Sequence, residues 1–132
     1  MKATYKIGAA VIGSFALGLG ATSVLHAQVQ PVAYVVAEID VKDQDGYTKE
    51  FLPKAQANIK EFGGKYLGGG YNKAFSVNGS PPPSRVVLLQ FPGMDALKAF
   101  SDKQKQLEVD VGDKYASFRG IAIEGVDQKQ GQ

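Results

Sequence analysis

What most constrains this chain is the order in which its hydrophobic periodicity changes between residues 33 and 126. Over 33–41, Val35, Ala37, Ile39 and Val41 alternate with Tyr34, Val36, Glu38 and Asp40, the period of a strand with one apolar and one mixed face. A spacing of about four follows. Tyr47, Phe51, Ala55 and Ile59, with Leu52 and Phe62 beside them, mark one side of an amphipathic helix that Asp43 or Asp45 can cap and Gly63-Gly64 can end. Pro53 lacks an N–H, so it predicts a kink or a split, with Pro53 in the first turn of the second piece. Lys65-Tyr66-Leu67 reads as a strand start, Gly68-Gly69-Gly70 as a bulge, and Lys73–Val77 as its extended continuation. Asn78-Gly79 and three prolines make a stiff turn before Arg85–Phe91, the most apolar strand and suited to a central place. After Pro92-Gly93, Met94, Leu97 and Phe100 begin a second helix. Leu107, Val111 and Tyr115 extend helical spacing through most of 101–117, and Gly120–Val126 is the last strand. The order is β-α-β-β-α-β, the pattern of an α+β, ferredoxin-like fold with a four-stranded antiparallel sheet.

The first residues follow another rule. Lys2 and Lys6 precede an uncharged stretch from Ile7 to Ala27, the layout of a secretory signal peptide with cleavage after Ala27. An uncleaved anchor is the alternative, since about 20 residues span a bilayer, although the glycines, serines and Thr22 make the stretch weakly apolar. Residues 1–27 are thus expected to be a leader, 28–32 a linker, 33–126 the domain and 127–132 a disordered tail. The expected location is periplasmic or secreted.

Removing the leader takes two of the 15 basic residues and leaves a formally neutral chain against 13 acidic ones. Without basic blocks, binding driven by nucleic-acid phosphates is excluded. The leader also holds the only histidine, His26, and the chain has no cysteine or tryptophan. Histidine- and cysteine-based triads are therefore absent, and with Met94 the one soft ligand left, no metal site and no cofactor is expected. Asp40, Asp43 and Asp45 lack the calcium-loop pattern and read as a solvated turn that caps a helix. The glycines around residue 68 fit neither dinucleotide nor phosphate-loop spacing.

Helices on one face of such a sheet leave the other bare. A second copy packed sheet to sheet would hide it, so a homodimer is expected. If the apolar rows meet the helices, Glu38 and Glu124 both point to the open face. There each is a candidate acid or base, or else half of an interface ion pair. Gln90 can join them, with Arg85, Arg119 and Lys65 as opposite charge.

The segments Ala33-Tyr34-Val35-Val36, Gly63-Gly64-Lys65-Tyr66-Leu67, Arg85–Phe91, and Phe118-Arg119 through Ile123-Glu124-Gly125 resemble the family catalogued as domain of unknown function 1330. The likeness spans roughly residues 32–126. It implies a ferredoxin-like, dimeric α+β barrel and no established reaction. Gly64, Lys65, Arg85, Arg119, Glu124 and Gly125 match the family pattern. The stretch Ser101-Asp102-Lys103-Gln104-Lys105-Gln106 departs from it, lacking the proline and aromatic of the Ser-Pro-aromatic common in relatives, which implies an altered or more open pocket here.

Three functions are compatible with these residues. The first is an exported, homodimeric domain that binds a small molecule, with Arg119, Arg85, Lys65, Tyr47 and Gln90 as candidate ligand-binding residues. The second is a cofactor-independent enzyme, monooxygenase- or isomerase-like, with Glu124 or Glu38 as proton shuttle. The third is a structural or interaction dimer.

Overall fold

A computed structural model describes residues 30–126; the expected leader over 1–27 and the expected tail over 127–132 lie outside the described residues. Strand β1 (Ala33–Val41) leads into one α-turn (Gln44–Gly46), a π-helical turn (Tyr47–Phe51) and helix α1 (Leu52–Glu61). Then come β2 (Lys65–Tyr71), β3 (Arg85–Phe91), helix α2 (Met94–Asp110), a 3-10 turn (Gly112–Lys114) and β4 (Ala116–Glu124). The strands form one antiparallel sheet in the order β2-β3-β1-β4. This is the expected ferredoxin-like topology.

The first helical region begins and breaks where its residues dictate. The Asp43 carboxylate accepts the Gly46 N–H at 3.1 Å, satisfying a donor that has no partner within the helix. Pro53 occupies the first turn of α1, and the wider π-turn lies immediately before it. The split expected at Pro53 is therefore present. A wider turn suits residues spaced by four, and it keeps buried Tyr47 and Phe51 in line with Ala55 and Ile59.

Two boundaries differ from expectation. Strand β2 contains the three glycines, with its irregularity between Tyr66 and Gly68, and it ends at Tyr71. Lys73–Val77 does not continue it. Asn72 adopts φ 56° and its N–H donates to the Ser84 carbonyl at 2.7 Å, so the chain leaves the ladder there. The last strand starts at Ala116, four residues early, because Gly112 packs against the rings of Phe51 and Phe118, which turns the chain back toward the sheet.

Every sheet residue in the core lies on one face. There Ala33, Val35, Ala37 and Ile39 of β1 stand beside Val87, Leu89 and Phe91 of β3 and Ala116 and Phe118 of β4, under the helices. The core falls into two clusters. One is built around Phe91 and Phe100, whose ring centres are 4.7 Å apart; the other joins Tyr47, Phe51 and Phe118 at 5.3 and 5.0 Å. On the reverse face Leu88, Ile121 and Ile123 are exposed.

Phe91 is about as buried as a side chain can be, whereas Phe75 is 83% exposed. Phe91→Ala is expected to destabilise the protein by about 3–5 kcal/mol in urea unfolding, and Phe75→Ala by no more than about 0.5 kcal/mol.

Candidate functional site

Across the middle of the sheet, on the helix side, stand Gly69, Val87, Ala37 and Gly120 in one row. The neighbouring row is Tyr66, Leu89, Val35 and Ala122. Three of the four residues in the first row have little or no side chain. A Cβ built on Gly120 would touch nothing nearer than Val35 Cγ1 at 4.0 Å. At Gly69 the backbone comes so close to Val86 O, at φ +91°, that no other residue fits. The helices bridge this shallow row without filling it. The result is a cavity of about 320 Å³ between the sheet and the helices, lying between the two core clusters.

Its floor is Val35, Ala37, Val87, Gly120 and Ala122. Its roof comes from Tyr47, Phe51 and Ala55 on one side and from Leu97, Ser101, Gln104 and Glu108 of α2 on the other. Most of this lining is apolar, and the polar groups are few and convergent. The Arg85 guanidinium carbon is 5.9 Å from the centre of the Tyr47 ring. Arg85 Nε is buried with no hydrogen-bond partner. Tyr66, 44% exposed, borders the same end. A depression along Leu67–Gly70 shares Tyr66, Arg85 and Val87 with the cavity and leads it out past the edge strand.

The electrostatics follow from this enclosure. Burial raises both phenols, Tyr47 and Tyr66, above the ordinary tyrosine value, while the charge of Arg85 pulls each the other way. Both therefore remain protonated O–H donors at neutral pH. Burial, and to a smaller extent the negative charge of Asp113, raises Glu108 above the ordinary 4.5; Lys105 opposes this.

The structure separates the residues singled out from the sequence. Tyr47 and Arg85 meet in the cavity. Lys65 and Gln90 stand opposite each other on the reverse face, in the row that continues to Tyr34 and Ile123. Arg119 faces Glu38 on that same side, with Nη1 and Oε2 3.4 Å apart, and from edge strand β4 it also borders the cavity.

Glu124 is a correction. It does not share the open face with Glu38. It is in register with Ala33 on the helix side, exposed at the end of an edge strand. Ala116 and Phe118 pack under the helical segments and set the phase of β4. Counting by twos places Gly120, Ala122 and Glu124 on the helix side, and Arg119, Ile121 and Ile123 on the reverse. The two glutamates thus cannot serve one site. Tyr66, Glu108 and the small-residue floor were not singled out from the sequence. The usable signals were the smallness of Ala37, Gly120 and Ala122 at alternate positions, and the spacing of Leu97, Ser101, Gln104 and Glu108 along one helix side.

Comparison with known proteins agrees with the topology. A family model described as "Domain of unknown function (DUF1330)" matches residues 32–126. No curated protein matches the chain significantly. Among solved structures, methylated RPA0582 protein is similar at 12% identity and a TM-score of 0.57, over 84% of this chain and 93% of that one. The RPA0582 protein of unknown function from Rhodopseudomonas palustris is similar at 10% identity and a TM-score of 0.56, over 82% and 93%. An EthD-like protein from Ralstonia eutropha JMP134 has 13% identity and a TM-score of 0.46, over 78% and 99%.

The raised Glu108 carboxyl binds its proton more tightly folded than unfolded. Its contribution to stability is fully present below the unfolded value of 4.5 and is lost as pH rises through the higher folded value. Glu108→Gln is therefore expected to raise the urea midpoint at pH 7 and to leave it unchanged at about pH 3.5, where the glutamate is protonated in both states.

Proposed function

The chain belongs to the family of domains of unknown function DUF1330, and we propose that it is an exported, homodimeric protein that binds a small, largely apolar molecule between its sheet and its helices. One observation carries this reading: a cleft of about 320 Å³ between the sheet and the helices of a small domain, open to solvent where Gly120 and Ala122 are exposed. A closed void of that size would cost roughly 8 kcal/mol at about 24 cal/mol per Å³. That is comparable to the whole stability of a domain, about 5–15 kcal/mol. Being partly open lessens the cost but does not restore the lost packing. An apolar lining with a few converging polar groups is the usual composition of a ligand pocket. Ser101 lines this cavity with no aromatic residue following it, in keeping with an open wall.

The reverse face supports the dimer. Leu88, Ile121 and Ile123 lie exposed around half-buried Val36. The Glu38–Arg119 pair beside them offers both signs of charge, which a twofold contact can pair across its axis. The basic start and uncharged run of residues 1–27 support export. A catalytic reading draws its support from Glu108, whose raised carboxyl could hold a proton beside Tyr47 in the same cavity. Glu38 sits in an ion pair and Glu124 on an edge, so neither is as well placed for that role.

Gly120→Ile should fill the cavity without a clash at Cβ. It is expected to leave the melting temperature unchanged or higher while weakening the binding of naphthamide, a neutral probe of suitable size, at least tenfold by fluorescence titration. Undiminished binding would remove the cavity as the site. In sedimentation equilibrium the wild type is expected to be dimeric at tens of micromolar, and Ile121→Glu to be a folded monomer. A monomeric wild type would refute the dimer.

A further inference from the structure

We infer that the molecule taken up by this cavity is a monocarboxylate with an aromatic or branched apolar body, its charged end seated on Arg85 between Tyr47 and Tyr66. This rests on the binding reading above and names the chemical class that the site selects.

The argument begins with charge. A guanidinium keeps its charge at any physiological pH and presents five N–H donors in a planar fork. Arg85, the first residue of β3, is in register with buried Ile39 on the helix side, so its stem starts inside the domain. Among the described residues it forms no ion pair; those present join Lys42 with Asp40, Lys103 with Glu61 and Arg119 with Glu38. Its Nε is buried without a partner. The Tyr47 ring, 5.9 Å away, is at the outer limit of a useful cation–π contact. A half-buried guanidinium whose polar neighbours are the neutral Tyr47 and Tyr66 hydroxyls, with no carboxylate among the described residues paired to it, leaves a place for an anion, and a bidentate carboxylate matches its fork.

The surroundings choose among anions. Tyr47 and Tyr66 flank the guanidinium and each brings an O–H donor. Beyond these groups most of the wall is apolar, with Val35, Ala37, Leu89, Ala55 and Ile59 in it; its other polar members, among them Gln104, Lys105 and Glu108, come mainly from α2. A single charged end and a hydrocarbon body fit that distribution, whereas a multiply charged phosphate ester would leave its remaining charge against alkyl walls. The volume admits about ten to fifteen non-hydrogen atoms, taking liquid-like packing as the guide.

Glu108, the acidic group in the lining, does not reverse this choice. Lys105 lies near it in the same lining, and its carboxyl can take up a proton, an option that Arg85 lacks. The depression past Leu67–Gly70 reaches Arg85 and Tyr66 directly, so the carboxylate end is the part that remains nearest the opening.

The test compares naphthoate with naphthamide, which share shape and differ in charge, by fluorescence titration of the full chain and variants at pH 7. Naphthoate is expected to bind wild type at least tenfold more tightly than naphthamide. Arg85→Met and Arg85→Gln should erase that preference, bringing the affinities of the two probes to within about twofold of each other. Arg85→Lys should keep part of the preference, and Lys65→Met, on the reverse face, should keep all of it. Circular dichroism identifies which of the two neutral variants is folded, and either suffices. Equal binding of the two probes to wild type, or a preference that survives loss of the Arg85 charge, would overturn the inference and leave the cavity reading standing. Binding of neither probe would overturn both.

Discussion

Four backbone positions lying side by side across the sheet, Gly69, Val87, Ala37 and Gly120, set the terms for the rest of this structure. Side chains make a core by meeting in the middle. Here the sheet offers a single valine and an alanine at its centre, and the helices cannot descend far enough to compensate. The apolar bulk therefore collects at the two ends, around Phe91 and Phe100 at one and around Phe51 and Phe118 at the other. The space between them is a consequence of register, because a shift of one residue in β4 would bring Ile121 under the helices and close it.

The same register explains what could be read from the sequence and what could not. The order of elements was legible because each change of period is local. Asp43 caps, Pro53 divides and Gly63-Gly64 ends the first helical region through contacts within a few residues of each. The phase of β4 was not legible. Alternation divides Arg119–Glu124 into two sets but does not say which set faces the helices. The set with Ile121 and Ile123 is the more apolar, and it faces away. The side chains that decide the matter are Ala116 and Phe118, and they do so by packing on Phe51 far away in the chain.

The candidate site shows the same division. Arg85 and Tyr47 could be named as a charge and an aromatic, but their meeting depends on β3 passing beneath the π-turn. The three glycines announced the irregularity beside Tyr66, but its place near Arg85 depends on the pairing of β2 with β3. Helical spacing already covered Glu108, but its place in the cavity depends on α2 crossing the sheet so that its polar end lies over the small-residue row. The family likeness, by contrast, was carried by short segments at fixed separations and needed none of these contacts.

Floor and roof of the cavity are tied down very differently. The floor belongs to strands whose backbones are laddered on both sides, with only the edge strands free on one. The roof is two helical segments whose side-chain polar links to each other, among the described residues, are one amide bond, Asn58 Nδ2 to Gln104 Oε1 at 3.1 Å, and the exposed Lys103–Glu61 pair. Local opening draws first on the parts held by the fewest cooperative bonds. Guests of differing girth would thus be accommodated by the helices sliding apart over a stationary base, with Gln104 the first polar tether to feel the strain.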